Sequence, residues 1–434
     1  MSILRRNNKT EITFFFLLIL ISFYRSPYIF LNGRFIGEEA NHHFLFALNN
    51  NFFTNLIYYI EFAGYYNFIP NFFTWIATLV PLENAPLVTV YGSFFIILLL
   101  PYLILFRESL LFKSKNQKII GSFLLFLTPP FIAEIWLNSL NSQIYLCISS
   151  ILILFMVNLN SIQKKINNLI ILVSGFSGIY SCSLLPFFAH KYYKNRDSYN
   201  LINLCFLIIA NAVQLYLILY SKISNRLHSS VLTDDYSLDL LSNFIYNIFA
   251  KSFLGRDLTH IIWNKISIFG DNYNYYIFLV LSFITVLILL NKNKIFIFLK
   301  KNYVTNCLII IFFLISIIIL VGSLHNQIGG RYSVIPGVVL ILLVFNFYNE
   351  IRNKIFSYIC LFLLSTSLIT GIYEFRPKYK INLKNPELNY LKHLDCLNCP
   401  EWKSEVKIWR DNKDYIIGLW PYPNKQMKLE LKND

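Results

Sequence analysis

The chain has 434 residues, 56% of them hydrophobic, 18% aromatic and only 14% charged, where a soluble domain is about a quarter charged. The apolar residues fall in repeated runs of about 17 to 23, the length that crosses a hydrocarbon core of roughly 30 Å. This excludes an ordinary soluble globule and makes the chain a polytopic membrane protein, so the net charge of +15 is read as loop charge that sets orientation and not as a nucleic-acid surface.

The first span is expected over 12–31. "MSILRR" has the basic start of a leader, but no small-residue cleavage site follows, so the segment reads as a retained helix. Further spans are expected at 85–106, 119–136, 144–159, 200–220, 275–291, 304–321, 332–348 and 355–372. Between 167 and 190, "NNLIILVSGFSGIYSCSLLPFFAHKYYK" is too short for two full crossings and is broken by Gly175, Gly178 and Pro186. It is drawn as two half-helices entering and leaving from one side, which is tolerated where protein or a wet cavity surrounds the backbone.

Orientation follows from the loops. Arg5, Arg6 and Lys9, then Arg107, Lys113, Lys115 and Lys118, then Lys164 and Lys165, Lys191, Lys194 and Arg196, Lys292 to Lys301, and Arg352 with Lys354 alternate with loops nearly free of basic residues, such as "LNSLNSQ" at 137–143. A cytoplasmic amino terminus satisfies this pattern. It places 32–84, 221–274 and the tail 373–434 outside, so that residues 1–372 form the transmembrane part and 373–434 a small extracytoplasmic appendage.

The outer loop opens with "GRFIGEEANHHFLFALNNN", residues 33–51. Glu38 or Glu39 can accept a proton from a hydroxyl, the task of a general base, or ligate a divalent metal (Mg or Mn). His42 lies at i+4 from Glu38 and i+3 from Glu39, so either acid could share a helical face with it. A charged imidazole at His42 or His43 would stabilise a departing phosphate, and a neutral one would orient the acid; the bland alternative is a pair of polar interface anchors. Arg34 stands beside the acids, and Arg25 falls within the first span, where it either serves a function or snorkels outward. The aromatic stretch from Phe52 to Pro81 is interrupted by Glu61, Gly64, Asn67 and Pro70, as in helices that lie along the interface.

Three later segments carry ionisable groups. The loop 221–274 holds Arg226, His228, Asp234, Asp235, Asp239, Arg256, Asp257 and His260, with no spacing that selects among them. "HNQIGGRYSVIPG" places His325 and Arg331 at the mouth of a span that begins at Tyr332. A guanidinium there suits a lipid-linked phosphate, which it can grip bidentately, or it simply snorkels to headgroups. In "HLDCLNCP", Cys396 and Cys399 form one knuckle where a zinc ribbon needs two, and outside the cytoplasm a disulfide is expected.

"GEEANHHFLFAL" followed by "AGYYNFIPNFFTWIATLVPLENAPLV" resembles a bacterial branch of the GT-C superfamily of membrane glycosyltransferases, with "GGRYSVIPG" as a further match. The resemblance in detail covers roughly residues 33–90 and that later segment; elsewhere it is one of topology. It implies an all-α bundle of about 9–11 transmembrane helices with interfacial helices in the first outer loop, in the inner membrane of a bacterium. It implies an enzyme that takes a sugar from a polyprenyl-phosphate donor and passes it to a glycan, lipid or protein acceptor. The family's acidic motif would fall on Glu38 and Glu39, with Glu38 favoured, and its phosphate-binding cation on Arg331, beside Tyr332. Many members have Asp at the acidic position, and the absence of a second paired acid tilts the expectation away from a metal. The competing readings are an envelope oligosaccharide polymerase or ligase, which would use the basic residues of 221–274, a transporter or flippase, which would show repeats and mid-membrane charges, and a scaffolding protein.

Overall fold

The computed structural model describes residues 8–127, 135–224, 245–267, 302–322, 330–351, 353–376, 400–420 and 425–429. The expected span at 275–291, His325, Arg226, His228, Asp234, Asp235, Asp239, Cys396 and Cys399 lie outside the described residues.

The chain is mostly helical, as an all-α membrane protein requires. Helix α1 (Lys9–Arg25) and α2 (Pro27–Asn32) divide the expected first span at Ser26. The break is local chemistry: Pro27 has no N–H to give and disfavours helical backbone at the residue before it. A π-helix (Glu39–Phe44) and short helices α3 (Leu45–Asn49) and α4 (Phe52–Leu56) follow. Strands β1 (Tyr59–Ile60) and β2 (Tyr65–Tyr66) then pair antiparallel, and α5 (Phe68–Ala77) follows them.

Among the described residues, the bundle contains α6 (Ala85–Phe106), α7 (Lys115–Leu127), α8 (Ser142–Leu154), α9 (Ser161–Gly175), α10 (Leu185–Asn195), α11 (Ser198–Ile223), α12 (Lys251–Ser267), α13 (Tyr303–Gly322), α14 (Val334–Glu350) and α15 (Lys354–Phe375). Three of these starts carry side-chain caps: Asn160 and Gln163 form a capping box on α9, Asp197 accepts from Asn200 N (2.8 Å) on α11, and Asn353 accepts from Ile355 N (3.1 Å) on α15. Among the described residues, four helices are long and apolar enough to cross a membrane: Leu82–Phe106, Ser198–Ile223, Arg331–Glu350 and Lys354–Phe375. The first and third bury 67% and 78% of their apolar windows and form the centre, whereas the other two bury 22% each and turn outward. Their exposed faces are apolar, as suits helices in contact with lipid.

One expected span shortens. The span drawn at 144–159 stops at Leu154, because the backbone at 155–157 leaves the helix to pair with 108–110, with Leu110 N donating to Phe155 O and Val157 N to Glu108 O. Within 167–190 the helix is interrupted: α9 ends at Gly175 and α10 starts at Leu185, joined through Gly178 (φ +93°) and a 3-10 turn at Ser181–Leu184.

Contacts sort the loops by end. Lys115 meets Glu11 (3.4 Å), Lys113 pairs with Glu350, Gln117 bonds Asn349 (2.9 Å) and Asn158 bonds Glu108 (2.8 Å). Helix α6 carries the chain about 33 Å from there to the opposite rim, where 33–85 gather. The described tail packs on that rim: α16 (Trp402–Asp411) and the antiparallel β3 (Ile416–Gly418) and β4 (Gln426–Lys428) share one apolar core with Phe35, Ala40, Phe44, Ala77 and Ala85. Trp402 Nε1 donates to Leu82 O (2.7 Å), and Arg410 pairs with Glu83 (2.8 Å). The tail and the 33–85 segment therefore build a single cap over that rim.

Candidate active site

The doublets Glu38-Glu39 and His42-His43 are four residues apart, so each acid shares a face with one histidine. The turn divides them. Glu39 and His43 point inward, 0% and 2% exposed, while Glu38 stands at the surface of the cap with its side chain 37% exposed and His42 half-buried beside it. A π-helical turn at this position is typical of functional sites.

The inward pair builds the wall. Glu39 Oε1 accepts from Ser139 N (2.8 Å) and from the Ser139 hydroxyl, and Ile36 N points at its other oxygen (3.5 Å). Burial pushes the Glu39 carboxyl above its ordinary range, and the Ser139 and Ile36 bonds and the Arg34 charge only partly oppose it. His43 Nδ1 bonds Asn71 Oδ1 (2.7 Å); because the Asn71 amide donates to Tyr58 O (2.6 Å), its oxygen faces the ring and His43 is the donor. Burial brings the His43 pKa down to about 4, so the ring is neutral. Arg34 is buried too, donating to Trp136 O (2.6 Å) beneath the Trp420 ring (4.8 Å). Arg25 lies between the Trp136 and Phe375 rings, at 5.1 and 4.5 Å, and does not snorkel. Together Glu39 and Arg34 pin the 136–139 loop to the cap.

The outward pair meets residues from distant parts of the chain. Arg331 Nη1 comes within 3.9 Å of Glu38 Oε2, and Lys425 Nζ within 4.0 Å of Glu38 Oε1. Both separations exceed a direct hydrogen bond, so the carboxylate is drawn to two cations without being locked to either. Arg331 sits on the 3-10 turn Gly330–Ser333 at the head of α14, its guanidinium over the Tyr332 ring (5.2 Å) and donating to the Tyr332 hydroxyl (3.3 Å). Burial lowers the His42 pKa, with Glu38 pulling it up and Lys425 down. Tyr65 completes the floor. Its phenol is raised by burial, feels the charges of Arg331 and Glu38, and accepts from Gln143 Nε2 (3.4 Å).

The β1–β2 hairpin that carries Tyr65 is bolted to the junction after α9 and to α11. Gly178 N donates to Tyr66 O (3.0 Å), Phe68 N to Phe176 O (2.9 Å), and the Gln214 side chain bonds both Tyr66 N and Tyr66 O (2.9 Å each). Successive strand residues face opposite ways. Tyr65 thus faces the acid and the arginine, while Tyr66 lines an open apolar cleft of about 590 Å³ between α9 and α11, with Phe176, Leu172 and Val213.

No protein-family model, curated protein or solved structure matches this chain. A divalent ion wants several oxygen donors, yet Glu38 has two cations as its charged neighbours, and among the described residues no three His, Cys, Asp or Glu side chains gather. The described residues around Glu38 do not fit a divalent metal.

Of the residues singled out in the sequence, Glu38, His42, Arg331 and Tyr332 come together, whereas Glu39, His43 and Arg34 lie in the wall behind them. Arg256, Asp257 and His260 sit on α12, where the Glu374 carboxylate accepts from Asp257 N (3.0 Å) and Arg256 N just past the Gly255 kink. Lys425, Tyr65, Gln143 and Ser139 were not foreseen. Only Tyr65, directly after the interrupting Gly64, carried a local hint.

Proposed function

We propose that the protein is an integral membrane glycosyltransferase, of the kind its GT-C resemblance implies. It moves a sugar from a polyprenyl-phosphate donor to a glycan, lipid or protein hydroxyl at the extracytoplasmic rim. The observation that carries this reading is the approach of Glu38 to Arg331, 3.9 Å apart, at the head of a membrane-length helix. On this reading Glu38 is the base, Arg331 the anion-binding cation, and the two meet the headgroup of a lipid donor.

The acceptor hydroxyl gives its proton to Glu38 as its oxygen attacks the anomeric carbon. The bond from that carbon to the phosphate oxygen breaks, and its electron pair leaves with the phosphate, whose charge meets Arg331. Direct displacement inverts the anomeric centre, and no protein nucleophile is needed. His42, whose pKa burial lowers, stands beside the acid and helps to orient it. Glu39 acts through position by holding the 136–139 loop. The apolar cleft beside Tyr66 suits the hydrocarbon chain of a lipid substrate. In the membrane of a bacterium this orientation leaves the amino terminus cytoplasmic and the tail outside.

The test is transfer or hydrolysis of sugar from a polyprenyl-phosphate donor by the purified protein in lipid. Glu38→Gln keeps the size and loses the base, so turnover should fall by about 100-fold or more with expression unchanged. Wild-type turnover in that variant removes Glu38 from the chemistry.

A further inference from the structure

The tail brings a lysine to a carboxylate that already has a cationic partner. Ile36 pairs in parallel with Trp420, Gly37 N donates to Trp420 O (2.8 Å), and Asn41 Nδ2 donates to Gln426 O (2.9 Å). Those bonds lay the aliphatic stem of Lys425 across Gly37, so closely that a Cβ there would fall 2.6 Å from Lys425 Cγ. The ammonium then reaches one oxygen of Glu38 while Arg331 reaches the other, at 4.0 and 3.9 Å. Two cations from distant parts of the chain thus converge on one carboxylate at the mouth of the site. Neither cation is at hydrogen-bond distance from it.

We propose that Lys425, delivered by the carboxy-terminal hairpin, is the second phosphate-binding cation of this site and acts jointly with Arg331. The inference rests on the function proposed above and deepens it. The donor's phosphodiester offers two non-bridging oxygens, and the monophosphate that leaves, like farnesyl phosphate, offers three; Arg331 takes the group as a planar fork and Lys425 as a point charge. Both cations then turn from Glu38 to the phosphate, which frees the carboxylate for the acceptor hydroxyl. The glycine at position 37 is required because any side chain would displace the lysine stem. The tail is accordingly part of the binding site and not an appendage to it.

The test uses the full-length protein in detergent and farnesyl phosphate, a sugar-free isoprenyl monophosphate, with farnesol as the uncharged control. Wild type should prefer the phosphate. Lys425→Met keeps the stem on Gly37 and drops the charge, and it should lose about tenfold in phosphate affinity with farnesol binding unchanged; Lys425→Arg should restore most of the loss. In wild-type protein, farnesyl phosphate should also protect Lys425 from amine acylation where farnesol does not, a readout that needs no variant to fold. If Arg331→Met weakens phosphate binding while Lys425→Met does not, or if acylation of Lys425 is indifferent to the phosphate, the role of Lys425 is overturned and the broader reading stands. If wild type shows no preference for the phosphate, both fall.

Discussion

Glu39 and Ser139, a hundred positions apart in the chain, are joined by two hydrogen bonds to one carboxylate oxygen, given by the Ser139 amide and its hydroxyl. That link ties the π-helical turn to the loop before α8 and thereby sets where Glu38 can reach. Because burial raises the Glu39 pKa, the acid has a foothold in its neutral form, which an amide mimics. Glu39→Gln is therefore expected to fold and to keep most of its turnover. Ser139→Ala removes one donor from a fully buried acceptor and should cost about 1–3 kcal/mol, seen as a lower thermal midpoint. Should Glu39→Gln abolish turnover as Glu38→Gln does, the division of labour between the two acids is wrong.

His43 supplies a pH signature. Its folded pKa of about 4 lies below its ordinary 6.5, with burial the largest cause. The unfolded chain therefore binds the proton more readily, and His43 contributes stability that is complete above about pH 6.5 and lost as pH falls toward 4. The full loss is about 3 kcal/mol. Thermal midpoints measured from pH 7 to 4 should fall through that window for wild type and flatten for His43→Phe, whatever the absolute stability of the variant. A parallel fall in both proteins would place the titrating group elsewhere.

The long helices were legible because the bilayer leaves so little choice: an apolar run near twenty residues must satisfy its own backbone, and α6, α11, α13, α14 and α15 appear within a few residues of where the runs lie. Misses came where a local or long-range contact overrode the run. Pro27 hides inside an apolar stretch yet splits it, and Phe155 leaves its helix to pair with Leu110. The hairpin at 59–66 has strands of two residues each, too short for alternation to register. In the site, the four-residue spacing announced that acids and histidines pair by face, but which pair faces the core depended on Ser139 and Asn71. Lys425 was one lysine in a basic tail; nothing local marks a residue whose role comes from lying across Gly37.

Gly178 tests the support beneath the site. Its φ of +93° is strained for any other residue, and a Cβ there would fall 1.7 Å from Gln143 Oε1, the side chain whose nitrogen bonds Tyr65. Gly178→Ala should cost about 1–3 kcal/mol in stability and lower turnover by displacing Gln143 and the hairpin together. Gln143→Ala, combined with Gly178→Ala, makes room for the methyl group and should recover part of the stability but not the turnover. Full recovery of turnover would show that Gln143 and Tyr65 are only packing.

The cleft between α9 and α11 separates lipid recognition from chemistry. Tyr66 forms part of its lining and Tyr65 part of the acid's surroundings, on opposite sides of one strand, so a change in the cleft can alter chain binding while the reacting groups keep their geometry. Val213→Trp places a larger ring in a space of about 590 Å³ while leaving Gln214, the neighbour that bonds Tyr66, in place. If the cleft holds the hydrocarbon chain of a substrate, this variant raises KM several-fold for a long-chain polyprenyl donor or lipid acceptor. It should leave kcat, and the kinetics of a short-chain analogue that cannot reach the cleft, close to wild type. Losses of equal size for long and short chains would instead mean that the tryptophan had moved the hairpin, and unchanged KM for both would assign the cleft to ordinary bilayer lipid.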